Sequence, residues 1–188
     1  MKNTFVTSEF KKYIKHCIKT NATLVTETVK TKNGDFCYLA NDFFILRADK
    51  DIFEQEILPA LDVQYIPEEP FKISGKRCPS PKHFFDDYFS SSKKVLNKTG
   101  VYLSVDGYAC NQTYLVNIFK NENSGVIVNA SYLELFHLDN SMFFTRGSKT
   151  DPVVAKSSTN NCAVVILPVR QGPAIAEKVD AICSLNCF

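Results

Sequence analysis

The chain has 188 residues, enough for one domain whose core needs no disulfide or metal staple. Its 45% hydrophobic and 22% charged residues exclude a disordered or collagen-like chain, and a net charge of +2 is too small to argue for nucleic acid by itself. No apolar run approaches the roughly 18 residues that cross a bilayer, and the opening MKNTFVTSEF carries no apolar signal core, so a cytoplasmic protein with no membrane partner is expected.

The first element is a helix. Thr7 or Ser8 caps it, and Phe10, Tyr13, Ile14, Cys17 and Ile18 share one face. Lys11, Lys12, Lys15, His16 and Lys19 fall mostly on the other faces, so the wet side is basic. Residues 22–29, rich in Thr and Val, read as a strand. Asn33-Gly34 reads as a hairpin turn because both residues tolerate positive φ. Residues 36–48 give one or two strands around Asn41-Asp42, and residues 51–61 suit a short helix. Pro59, Pro67, Pro70, Pro79 and Pro81 then break regular structure and mark residues 50–100 as an insertion or long connection. Within it, Ser80-Pro81 starts a helix through Phe84, Phe85, Tyr88 and Phe89, and residues 90–99 read as a polar loop.

Sheet patterning returns over residues 100–170. Val101, Leu103 and Val105 alternate with Tyr102, Ser104 and Asp106, and Asp106-Gly107 is a second hairpin signal. Strands are expected at 114–119 and 125–128. Asn129 caps a short helix over 130–138 with Tyr132, Leu133 and Phe136 inward. Three more strands follow at 141–146, 152–156 and 162–169. Gly172-Pro173 opens a last helix with Ile175, Val179 and Ile182 on one face. The expected fold is α+β, a mostly antiparallel sheet with two short helices in a duplicated helix-plus-sheet arrangement. A single domain spans 1–170, and residues 171–188 form a C-terminal helical extension.

Two stretches occupy equivalent places at the two helix starts: Val6-Thr7-Ser8-Glu9-Phe10 and Val128-Asn129-Ala130-Ser131-Tyr132. After the second come Leu133, then Pro152-Val153-Val154, then Ala163-Val164-Val165-Ile166-Leu167-Pro168-Val169-Arg170. In type, order and spacing this run resembles the closing part of a domain of the bacterial DNA sliding clamp, the ring-forming processivity factor of the replicative polymerase (DNA polymerase III beta subunit). The opening Phe5-Val6-Thr7-Ser8-Glu9-Phe10 and the later Leu39-Ala40-Asn41-Asp42 are similar to that family's opening. The chain departs from the family in three ways. Clamp subunits carry three such domains and this chain has room for one, residues 50–100 have no counterpart, and the helix after Arg170 runs on.

The resemblance implies a non-enzymatic, clamp-like module of DNA replication, of a kind a phage or mobile element would carry, with no cofactor. Its partners would be DNA, replication or repair proteins, and further copies of the chain. Helices line the hole of such a ring, so Lys11, Lys12, Lys15 and Lys19 would meet phosphates. The second helix carries Glu134 and no cation. A single-domain chain would need about six copies to close a ring. The family's peptide-capture site carries over onto Ile166, Leu167, Pro168, Val169 and Arg170 alone.

Other readings compete. The lysines also fit an ordinary solvated face, and 166–170 an ordinary buried strand. An interaction module of the same fold that never touches DNA fits the same residues. A cysteine-dependent enzyme is a third reading, but His16, His83 and His137 form no local signature with any of the seven cysteines. In a cytosolic chain most of those cysteines should be reduced and buried. Cys183-x-x-x-Cys187 has helical spacing for two metal ligands and lacks a second pair. The seven glycines never cluster, which excludes a phosphate-cradling loop.

Overall fold

The computed structural model describes residues 4–77, 79–106, 113–122, 124–158 and 161–185. Helix α1 (Ser8–Lys19) precedes a meander of β1 (Leu24–Thr31), β2 (Gly34–Ala40) and β3 (Phe44–Asp49). A helical stretch follows: α2 (Lys50–Ile52), a π-helical turn (Phe53–Ile57) and α3 (Leu58–Leu61). Strand β4 (Phe71–Ser74) and helix α4 (Pro81–Ser91) lead to β5 (Lys94–Asp106), β6 (Thr113–Asn121) and β7 (Ser124–Asn129). The one-turn helix α5 (Ala130–Leu133) precedes a second meander, β8 (Ser141–Thr145), β9 (Val153–Ser157) and β10 (Ala163–Ile166), and α6 (Pro173–Ser184) comes last.

The fold is α+β. The ten strands form one sheet in the order β4-β1-β2-β3-β10-β9-β8-β5-β6-β7, and every pairing is antiparallel. The two meanders meet at β3 and β10, so β1-β2-β3 is followed across the sheet by β10-β9-β8. A capped helix leads into each meander. The Thr7 hydroxyl accepts the Phe10 N–H at the start of α1, and the Asn129 carboxamide accepts the Ser131 N–H at the start of α5. The start of α1 is also joined to the segment that follows α5. The Thr7 N–H donates to the Leu135 carbonyl at 3.0 Å, and the His137 N–H to the Phe5 carbonyl at 2.8 Å.

The sheet is covered on both faces, which explains why β10 is apolar at four successive positions rather than alternating. On one face Phe10, Ile14 and Cys17 of α1 pack with Leu46, Phe53, Phe136 and Val164 in the largest core cluster. On the other, Phe85 of α4 packs with Tyr38, Val154 and Val165. Farther along, Val179 and Cys183 of α6 pack with Val116, Ile118 and Ile127.

Residues 50–100 are bound into this sheet rather than looped out from it. Strand β4 pairs with β1, and the start of β5 pairs with β8. Helix α4 is anchored at its start by the buried Glu27 carboxylate, which accepts from the Ser80 hydroxyl at 2.8 Å and the Lys82 N–H at 3.2 Å. Its aromatic face holds the Arg47 guanidinium, 5.1 Å from the Phe85 ring and 4.5 Å from that of Phe89.

Four local expectations change. The first hairpin turns at Lys32 and Asn33, with Thr31 opposite Gly34, so only Gly34 takes a positive φ, +121°. Residues 94–99 belong to β5 rather than to a polar loop; Leu96 alone among them is buried. The helix after Asn129 is one turn long, and the last strand stops at Ile166. Strand β4 has no counterpart among the expected elements. The hairpin signal at Asp106-Gly107 lies partly outside the described residues.

Candidate functional site

Helix α1 forms because its apolar residues return every three to four positions and Thr7 caps its start. That same periodicity turns Lys11, Lys12, Lys15 and Lys19 outward, and all four are exposed. Lys12 pairs with Glu9 at 2.7 Å. Lys11, Lys15 and Lys19 make no ion pair among the described residues, so three ammonium groups over about two helical turns stay open to an anion. Lys19 also lies in the last turn, where a cation suits the helix dipole.

Beside α1 lies α5, and between them runs a groove in two connected parts. One part, about 340 Å³, is lined by Glu9, Lys12, Tyr13, His16, Ser131 and Leu135. The other, about 400 Å³, is lined by Tyr114, Leu115, Asn129 and Tyr132, among others. Tyr13, Ser131 and Glu134 line both. Tyr13 and Tyr132 meet edge to face at 6.1 Å, and Phe43 stacks on Tyr132 at 5.0 Å. Burial pushes the Tyr13 phenol far up and the Tyr132 phenol up to about 12, so both stay neutral. The Asn41 amide donates to the Tyr13 hydroxyl at 2.8 Å.

The sequence points to the lysines of this region and to Tyr13 and Tyr132 as inward-facing residues, but not to Phe43. Phe43 and Phe44 are adjacent, so their side chains point to opposite sides, and only one of them can enter the core. Phe44 is buried; Phe43 is 45% exposed. That alternation right after the Asn41 turn was the available signal.

The second predicted site is divided. Leu167, Pro168, Val169 and Arg170 line a cleft of about 380 Å³ with Tyr88, Thr150 and Pro152. Ile166 lies in the core at 0% exposure and does not reach this cleft. The segment is held by the Leu167 N–H on the Phe43 carbonyl and the Val169 N–H on the Ile127 carbonyl, both at 2.9 Å. The cleft wall is braced by Arg146, whose guanidinium sits 4.5 Å from the Tyr88 ring and bonds the Asp87 carboxylate at 2.6 Å. No residue of α6 lines it.

Among the described residues the thiols and imidazoles do not converge on a site. Cys17, Cys37, Cys162 and Cys183 are buried, and burial pushes each thiol up, Cys162 to about 12, away from the reactive thiolate. Cys78, Cys110 and Cys187 lie outside the described residues, and with Cys187 goes the Cys183–Cys187 pair. Among the described residues no three His, Cys, Asp or Glu side chains gather as metal ligands, and no helix is long and apolar enough to cross a membrane. Comparison with family models, curated proteins and solved structures finds no match to this chain.

Proposed function

We propose that this chain is a clamp-like module that holds nucleic acid on the exposed face of α1 and docks replication or repair proteins in the cleft at Leu167–Arg170. The observation that carries the reading is the order of the sheet. Two helix-then-three-strand units meet at their last strands, β3 and β10, and the start of the first helix is hydrogen-bonded to the segment that follows the second. Such a pair of units is what the likeness to a sliding-clamp domain requires. A row of lysines on the helix gives affinity without reading sequence, because it neutralises phosphates and releases their counterions.

A direct test is binding of a labelled oligonucleotide at low salt. The wild type is expected to bind irrespective of base sequence. The triple variant Lys11→Glu, Lys12→Glu, Lys15→Glu replaces surface charges only and should still fold; its affinity should fall at least tenfold. Equal binding by the folded variant would remove α1 from the interface.

A protein-interaction module that never touches nucleic acid is the second reading, favoured by the formed cleft beside Tyr88. It predicts that Arg170→Glu and Leu167→Asp weaken capture of a partner while the lysine variant captures it normally.

A further inference from the structure

The larger part of the groove beside α5, about 400 Å³, differs in charge from the outer face of α1. Glu134 is the one charged residue that lines it, while Lys12 and His16 line only the other part. A second carboxylate stands at its rim, because the lining residue Thr113 donates its hydroxyl to Asp106 at 3.0 Å. Glu134 and Asp106 are both exposed, and neither makes an ion pair among the described residues. Residues 107–112, between Asp106 and Thr113 in the sequence, include no charged residue. Two carboxylates thus face this space with no cation to balance them.

The walls add a second feature. Tyr13, Tyr114 and Tyr132 line the same space. The face of an aromatic ring attracts a cation, and a carboxylate pairs with it. The rings are held in place before a ligand arrives, since the Asn41 amide donates to the Tyr13 hydroxyl and its carboxamide oxygen accepts the Phe43 N–H at 2.8 Å. Two apolar side chains stand exposed nearby. Leu115 lines the groove with 51% of its surface in water, and Phe43, 45% exposed, stacks on Tyr132 outside it.

Carboxylates, tyrosine rings and an apolar rim match a cation carried on an alkyl stem with apolar neighbours. A bare metal ion fits poorly, because among the described residues no three His, Cys, Asp or Glu side chains gather as ligands. A second copy fits poorly too. Its unpaired cations on α1 are Lys11, Lys15 and Lys19, and offering them would bring its basic helix against the one that walls this groove. We infer that the groove beside α5 docks a protein partner through a lysine or arginine side chain, its cation at Glu134 and its apolar neighbours on Leu115 and Phe43.

The test measures fluorescence anisotropy of a labelled peptide, Gly-Ser-Leu-Lys-Leu-Ser-Gly, against the full chain. Two further peptides carry Arg or Gln in place of Lys. The Lys or the Arg peptide should bind at least about fivefold more tightly than the Gln peptide. Glu134→Gln alters one exposed side chain and should still fold; it should remove that preference without changing the affinity for the Gln peptide. Tyr114→Leu should weaken the basic peptide about threefold. No lysine of α1 lines this space, so the lysine variant Lys11→Glu, Lys12→Glu, Lys15→Glu should bind the basic peptide at least as tightly as wild type. Equal affinity for the three peptides, wild-type binding by Glu134→Gln, or no binding at all would overturn the inference and leave the nucleic-acid face of α1 standing. Self-association of the wild type that Glu134→Gln abolishes, measured by sedimentation without peptide, would assign the groove to a second copy and would overturn it as well.

Discussion

Gly125 shows how one missing side chain sets the position of a whole helix. A Cβ placed there would sit 2.5 Å from Val179 Cγ1 and 2.7 Å from Cys183 Sγ, inside the contact distance of both. The strand β7 thus lets α6 approach only because residue 125 has no side chain. Gly125→Ala should therefore destabilise the fold by about 1–3 kcal/mol, as overpacking does, and lower the urea midpoint. An unchanged midpoint would mean that α6 is free to move away. Buried acidic protons make a second residue-scale prediction. Burial lifts Cys162 from 9.0 to about 12, and Tyr38 and Tyr132 from 10.0 to about 12. Each group loses its proton more readily in the unfolded chain, so stability is full below pH 9 and declines as the pH rises towards 12. Urea midpoints across that window should fall steadily, and a flat profile would contradict the burial of these groups.

Among the elements, the ones legible in the sequence are those whose signal is local. Helices α1 and α4 announce themselves through a cap and a face: Thr7 ahead of Phe10 and Ile14, Ser80-Pro81 ahead of Phe85. Strands β9 and β10 are apolar runs bounded by turns. The elements that escaped are those whose stability comes from elsewhere in the chain. The start of β5 carries Lys94, Asn97 and Lys98 in the open and buries only Leu96, so its composition is that of a loop; β8 on one side and β6 on the other supply its hydrogen bonds. Strand β4 sits in a proline-rich stretch and exists through its pairing with β1. Helix α5 stops after one turn because the chain then runs across to the N-terminal segment, where Val6 bridges Phe136. The two caps give a prediction at this scale. Thr7→Ala and Asn129→Ala should each cost about 1 kcal/mol, with Thr7 the more costly because its hydroxyl also donates to the Glu134 carbonyl at 2.8 Å and so ties the two helices. Thermal unfolding of both variants checks the order, and an Asn129 variant less stable than the Thr7 variant would contradict it.

Across the whole molecule, the α+β class and the antiparallel sheet could be read from strand periodicity and turn residues. The strand order could not, because no local pattern says that β3 will lie against the distant β10, with Ile45 opposite Val165 and Arg47 opposite Ala163. The candidate site was legible to the same degree. A basic helix face follows from spacing, so the lysines of α1 stood out. The groove beside it is lined by Tyr13, Tyr114 and Tyr132, with Phe43 stacked on Tyr132 outside it, and only the folded chain brings these aromatics together. The most direct test of the phosphate-binding account is the slope of log affinity against log salt for a single-stranded oligonucleotide. Four lysines on phosphates predict a slope of about −3 for the wild type, reduced towards zero when Lys11, Lys12 and Lys15 become Glu. An affinity that stays constant as salt rises from about 50 to about 200 mM would contradict it.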